Sequence, residues 1–335
     1  MAELKIICLF FVTVEEVEWL WYPFIPFGKL TIIHGDGGEG KTTLILQLAA
    51  LLSRGEKLPC DSTEREPIKV IYQTAEDGLG DTIKPRLLAD NADCSQIKVI
   101  DESEATLTML DERIEKAIVE TGARALILDP VQAYIGAKVD MNRANEVRPV
   151  FRKLGMIAEK TGCAIVLIGH LNKSSGTQST YRGLGSIDIM AAVRSLLFIG
   201  KVKKDPTTRV LIHEKSSLAP PGETMAFKLG DEEGFRWVGA YEISADDLLD
   251  GKEGKPTETK LQRGTKLIYE LLADGNAVTI RELDEKAKAQ GISQRTMREA
   301  RSRMKEELDY RMNEKQENTI RLKKQGRMGD GRILE

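Results

Sequence analysis

One run of eight residues constrains this chain more than any other feature. Gly35-Asp36-Gly37-Gly38-Glu39-Gly40-Lys41-Thr42 fits the pattern G-x-x-x-x-G-K-[ST]. It stands between the apolar, β-branched Leu30-Thr31-Ile32-Ile33 and the almost wholly apolar stretch from Leu44 to Leu52. Strand, glycine-rich turn and helix in that order build an anion site. Glycines let backbone N–H groups converge on phosphate oxygens, and Lys41 reaches the β- and γ-phosphates. The Thr42 hydroxyl takes Mg²⁺, and the helix presents its positive end. Gly35, Gly37, Gly38, Glu39, Gly40, Lys41, Thr42 and Thr43 are therefore expected around a nucleoside triphosphate.

Downstream, Ile68–Thr74, Ile97–Ile100, Ala125–Leu128 and Ala164–Ile168 read as strands, and Leu110–Glu120 and Val147–Glu159 as amphipathic helices. Such alternation predicts an α/β fold with a mainly parallel sheet covered on both faces. After Arg194 the pattern changes. Leu196–Val202, Arg209–His213, Met225–Leu229 and Phe235–Val238 read as hairpin-linked strands that extend the sheet with antiparallel pairs. The polar stretch around Gly251, Gly254 and Pro256 has no apolar period and reads as a domain exit. The expected divisions are a large domain over 1–245, a linker over 246–260, a small domain over 261–325 and a tail over 326–335.

A chain of 335 residues has room for both domains. Its net charge of −3 hides an asymmetry. From Glu258 onward 18 Lys+Arg face 14 Asp+Glu, a net of +4, whereas the preceding part has 31 against 38, a net of −7. A basic end on an acidic body points to a nucleic-acid partner. Cys8, Cys60, Cys94 and Cys163 are scattered and only three histidines occur, which argues against a zinc site or disulfide framework and fits a reducing cytoplasm. The apolar run Ile6–Val12 is short, lacks a small-residue cleavage site and leads into Glu15-Glu16-Val17-Glu18. It reads as a strand or buried lead-in segment, not a signal peptide. No run approaches the roughly 18 apolar residues of a membrane span. Trp19, Trp21, Tyr22 and Phe24 form an aromatic knot expected to pack in the core or against another subunit.

A phosphate loop alone does not specify hydrolysis. Ala125-Leu126-Ile127-Leu128-Asp129 is an apolar strand ending in a carboxylate, the arrangement needed to hold Mg²⁺ beside Thr42. Ile71-Tyr72-Gln73-Thr74-Ala75-Glu76-Asp77 ends in adjacent acids. Glu76, with Asp77 as the alternative, is the expected base that orients a water toward the γ-phosphorus. Ile165 to Gly169 leads to His170, a polar strand tip suited to detecting the γ-phosphate. Asn172-Lys173 imitates the guanine-reading N-K-x-D element, but Ser175 replaces the Asp, so the base is read as adenine and the ligand as ATP.

These motifs, with Arg182-Gly183-Leu184-Gly185-Ser186-Ile187-Asp188 following them, resemble the RecA/DnaB-like ATPases, most closely the RepA-type hexameric helicases of plasmids and mobile elements. The resemblance covers about Phe24 to Leu229. It implies a RecA-like P-loop NTPase core, a homo-hexamer with ATP between subunits, and an arginine donated by a neighbour to the γ-phosphate. That role carries to Arg194, with Arg182 as second choice. His213-Glu214-Lys215-Ser216-Ser217 resembles the family's basic strand near the subunit interface. DNA-contacting loops would correspond to Ala133–Ala144, with Lys138 and Arg143, and to Lys173–Arg182, with a basic residue at each end. Two departures stand out. No counterpart of the additional N-terminal helical domain of DnaB-type helicases is expected, and a C-terminal module is added.

That module reads as a winged helix. Leu267, Ile268, Leu271 and Leu272 mark one helix and Ile280–Gln290 a second. Ser293–Glu307 is the third, capped by Ser293, with Met297, Ala300 and Met304 as its buried face. Arg295, Arg298, Arg301 and Lys305 fall on one arc away from that face, a basic stripe suited to DNA. A solvated or protein-binding winged helix is the alternative. Leu308–Met312 and Thr319–Leu322 would form the wing. The expectation is a soluble, ring-forming, ATP-hydrolysing motor on single-stranded or duplex DNA, a replicative helicase of a mobile element or prophage. The alternatives are a recombinase-like or regulatory ATPase without unwinding activity, and a DNA-binding switch with negligible turnover.

Overall fold

The computed structural model describes residues 6–61, 64–137, 139–141, 143–170, 187–230, 234–313 and 316–323. The first half runs β1 (Trp19–Trp21), β2 (Ile25–Pro26), β3 (Leu30–Gly35), α1 (Lys41–Ser53), β4 (Val70–Thr74), α2 (Lys84–Ala89), β5 (Ile97–Lys98), α3 (Glu112–Thr121), β6 (Ala125–Asp129), α4 (Val131–Tyr134), α5 (Ala144–Thr161) and β7 (Ala164–His170). Then come α6 (Ile187–Ala192), β8 (Ser195–Lys201), β9 (Thr208–Ser216), β10 (Met225–Lys228), β11 (Arg236–Glu242), α7 (Ala245–Leu249) and β12 (Lys255–Pro256). The C-terminal part holds α8 (Lys260–Leu272), β13 (Val278–Thr279), α9 (Ile280–Ala289), α10 (Gln294–Arg303), β14 (Leu308–Met312) and β15 (Asn318–Leu322).

Among the described residues ten strands form one sheet, in the order β12-β11-β10-β9-β8-β3-β7-β6-β4-β5. From β8 to β5 every neighbouring pair is parallel. From β8 to β12 every pair is antiparallel. The expected α/β fold with a mainly parallel core and an antiparallel extension is therefore present. The parallel strands are apolar on both faces because both are covered. In β6, Leu126 and Leu128 enter the core shared with Ile114 and Ile118 of α3 and Phe151 and Leu154 of α5. Ala125 and Ile127 face the opposite core, with Leu44 and Leu48 of α1 and Leu87 of α2. α3 starts two residues after Leu110 because the Asp111 side chain accepts from the Arg113 amide and caps it.

Two expectations about segments are corrected. Ile6–Val12 is neither strand nor buried: Ile6, Phe10 and Phe11 are at least 80% exposed, around one short 3₁₀ turn at Leu9–Phe11. Its apolar side chains meet no cover within one chain. Residues 246–260, expected as a linker, carry two short elements. α7 packs Leu248 against Phe198 and Ile212, and β12 pairs with β11, adding a last strand to the sheet. The period was invisible because one helical turn and a two-residue strand are too short to show one. The aromatic knot does pack: Trp21 and Phe24 are buried, and the Trp21 indole N–H donates to the Pro59 carbonyl at 2.9 Å.

The C-terminal module folds α8, α9 and α10 around Ile268, Leu283, Met297 and Ile320, with a sheet ordered β13-β15-β14. Thr259 and Gln262 close a capping box on α8, and Ser293 accepts from the Thr296 amide to cap α10. Ile268 is fully buried, so Ile268→Ala should lower the module's stability by about 3 kcal/mol. Hydrogen exchange at the α8 amides should report the loss.

Candidate functional site

Parallel register brings the carboxyl ends of four strands to one edge. Gly35, at the end of β3, pairs with His170, at the end of β7. Thr74, at the end of β4, pairs with Asp129, at the end of β6. Since β7 lies between β3 and β6, His170 stands between the phosphate loop and Asp129.

The loop's glycines answer to different constraints. A Cβ at Gly35 would lie 2.2 Å from the Ile199 carbonyl oxygen, because β8 passes directly alongside. Gly40, at φ +90°, is the left-handed residue that turns the chain into α1. At Gly37 and Gly38 a Cβ would meet nothing within 4 Å, so the crest of the loop is open to a ligand. Lys41 is buried, and its ammonium donates to the Gly35 carbonyl at 2.9 Å and the Asp36 carbonyl at 2.7 Å. Burial holds its pKa below the usual lysine value, opposed by the charges of Asp129, Asp36, Glu39 and Glu76.

Asp129 is the hub. The Thr42 hydroxyl donates to its Oδ2 at 2.8 Å, and the Tyr72 hydroxyl donates to the same oxygen at 2.9 Å. Burial pushes the Asp129 carboxyl above the usual carboxylate range, and the two hydroxyl donors oppose it. The sequence reading placed Thr42 and Asp129 together but overlooked Tyr72. The available signal was a phenol in a buried strand, which needs a partner for its O–H.

Glu76 lies just past β4, exposed, and its charge acts on both Lys41 and Asp129. Asp77 is drawn aside: its amide donates to Thr74 Oγ1 and its carboxylate faces Arg86 at 3.7 Å. Glu39 is half-buried, one of its carboxyl oxygens lacks a partner, and burial raises its pKa against the pull of Lys201 and Arg209. Thr43 follows Thr42 on the first turn of α1, half-buried. Among the described residues no cluster of three or more His, Cys, Asp or Glu could hold a metal. A hydroxyl and one carboxylate fit Mg²⁺, which takes few protein ligands and keeps waters and phosphates as the rest.

Behind the loop is a buried hydrogen-bonded pair that sequence reasoning missed. His34 Nε2 lies 2.7 Å from Glu214 Oε2, both side chains buried, joining the phosphate-loop strand to β9 across β8. The neighbouring His213 accepts a hydrogen bond from the Gly222 amide on Nδ1 and faces Ser195 Oγ with Nε2. Burial lowers its pKa to about 4, so it is neutral near pH 7. Lys215 donates to the Met190 and Val193 carbonyls at the end of α6.

Arg194 is at the opposite end of the sheet. Its amide donates to the Leu30 carbonyl at the start of β3, five residues before Gly35 and thus roughly 16 Å from it. It is exposed and too far away to reach the phosphate loop of its own chain. Of the residues expected to contact DNA, Lys138, Lys173 and Arg182 lie outside the described residues. Arg143 faces Asp140 at 3.4 Å and Glu146 at 3.3 Å.

The stripe on α10 divides. Arg301 is a correction: it is buried, with its guanidinium 2.8 Å from Asp284 of α9. It stands four residues after Met297 and three before Met304, so it borders the buried face and α9 supplies its counter-charge. Arg295 stacks 3.8 Å over the Tyr22 ring of the large domain. It shares a cleft of about 300 Å³ with Phe24, Pro221, Glu223 and Lys260. Arg298 is exposed but lines an adjoining cleft with Cys60 and Asp61. Lys305 is exposed beyond α10.

A family model described as an AAA domain matches residues 9–176, half of the chain. The DNA repair protein RadA of Halalkalibacterium halodurans is 26% identical over 249 residues, 73% of this chain and 49% of that protein. Protein RecA of a Sulfurovum species is 23% identical over 234 residues, 64% of this chain and 63% of that one. Among solved structures, the ATPase domain of G40P is similar with a TM-score of 0.48 and 16% identity, over 63% of this chain and 84% of that chain. The chain spans about half the length of the RadA proteins it matches. No helix of the described residues is long and apolar enough to cross a membrane.

Two substitutions check this geometry. Gly35→Ala must displace β8 or the loop and should weaken nucleotide binding at least tenfold in titrations with a fluorescent nucleotide. Arg301→Ala strands Asp284 and should destabilise the module by about 3 kcal/mol in chemical denaturation, whereas Arg298→Ala should leave stability unchanged.

Proposed function

The chain belongs to the AAA domain family, and from that premise we propose that it is an ATP-hydrolysing DNA motor, a ring-forming replicative helicase of a mobile element or prophage acting in the cytoplasm. The observation that carries the reading is the meeting of Lys41, Thr42, Glu76 and Asp129 at one sheet edge, with Thr42 hydrogen-bonded to Asp129 at 2.8 Å. Loop amides and Lys41 bind the triphosphate. Thr42 and Asp129 hold Mg²⁺, which when bound neutralises phosphate charge. Glu76, free of the contact that diverts Asp77, accepts a proton from the attacking water, and His170 registers whether the γ-phosphate is present. Arg194, far from its own loop, reaches the site of the next copy in a homo-hexamer.

DNA contacts are assigned to the loops holding Lys138, Arg143, Lys173 and Arg182, one or two phosphates per subunit multiplied around a ring. Residues 261–325 are read as a winged helix. Of its stripe Arg295, Arg298 and Lys305 remain as exposed cations, Arg295 stacked on Tyr22. A second reading, a recombinase-like or regulatory ATPase that does not unwind DNA, is favoured by the similarity to a DNA repair protein RadA and a Protein RecA.

The test is the ATPase rate with and without single-stranded DNA, alongside native mass. Wild type should be stimulated by DNA, with a mass near six chains. Lys41→Ala and Glu76→Gln should lower turnover on the order of a hundredfold or more. A solitary chain indifferent to DNA contradicts the motor, full activity of Glu76→Gln points to a DNA-binding switch, and strand displacement separates helicase from filament.

A further inference from the structure

Tyr72 is a buried side chain whose polar atom points into the nucleotide site and to which the motor mechanism gives no task. It sits on β4 opposite Ile127 of β6, two residues before Thr74 pairs with Asp129. Side chains at these positions share one face of the sheet, the face that packs α1. Two residues of parallel strand span about 6.6 Å, the reach of a tyrosine ring with its hydroxyl. The phenol therefore lies along the sheet and ends on Asp129 Oδ2 at 2.9 Å, with Tyr72 itself fully buried. Thr42 arrives at that oxygen from α1 at 2.8 Å.

We infer that Tyr72 is a positioning residue for the metal site: with Thr42 it saturates Asp129 Oδ2, locks the carboxylate's rotation and leaves Oδ1 to face Mg²⁺ or its waters. Two donors match the two lone pairs of Oδ2 in number, so that oxygen is committed to the protein and Oδ1 is the one available to a ligand. Without the phenol, Thr42 alone holds the group, and the carboxylate can turn about its terminal torsion, which is broad. The metal site would then be present but loose. Thr42 also gains definition, because its proton is directed to Asp129 and its lone pairs are left outward. This inference rests on the nucleotide-site reading, and its test separates the two.

The measurement is the affinity of the full chain for a fluorescent, non-hydrolysable ATP analogue, with Mg²⁺ and with EDTA, in wild type and Tyr72→Phe. The variant keeps the buried ring and removes only the donor. Expected is an unchanged affinity in EDTA, together with a roughly tenfold rise in the Mg²⁺ concentration needed for half-maximal enhancement of binding. An unchanged Mg²⁺ dependence overturns the inference. A parallel loss with and without Mg²⁺ also overturns it, because it shows a packing role only. If wild type fails to bind the analogue at all, the nucleotide-site reading itself falls; if it binds but gains nothing from Mg²⁺, that reading stands and the role of Tyr72 is overturned.

Discussion

The parallel pairing of β3, β7, β6 and β4 is what everything at the site depends on. Each strand is apolar on both faces, so a slip of one residue would expose as much as it buries and send every side chain to the other face. The register is held by two cores at once, Leu126 and Leu128 on one side, Ala125 and Ile127 on the other. The polar ends then fall into line without any attraction for one another: Gly35 beside His170, Thr74 beside Asp129. Their mutual hydrogen bonds adjust a placement that apolar burial has already made.

How far residues disclosed this differs from place to place. The phosphate loop, the Asp129 strand and the alternation of strands and helices were legible because each rests on local pattern: glycine spacing, apolar runs, the 3.6-residue period. Tyr72, the His34–Glu214 pair and the fate of Arg301 were not. Each depends on a partner distant along the chain, respectively 57, 180 and 17 residues away. A helical wheel places Arg301 with Arg298, but only the packing of α9 shows that Asp284 waits beside it. The lead-in Ile6–Val12 misled for the opposite reason, since apolar character was taken as burial and a single chain offers it no cover.

The C-terminal module complicates the simple picture of a free basic helix. Its α10 turns Arg295 onto Tyr22, and the start of α8 is fastened by Glu223, whose carboxylate accepts from the Lys260 amide at 2.7 Å and faces Arg263 at 3.5 Å. Both attachments land on the same part of the large domain, around the aromatic knot and the turn through Pro220 and Pro221. The residues between the domains thus do structural work in both, and the module's charge is partly spent on the body that carries it.

The position of β7 has a mechanical consequence. This strand is bonded along nearly its whole length to β3 on one flank and over its first half to β6 on the other. Sliding it would break a ladder whichever way it moved. The strand thus keeps His170 at a fixed height beside Gly35, and the sheet beneath it is as rigid as an anvil.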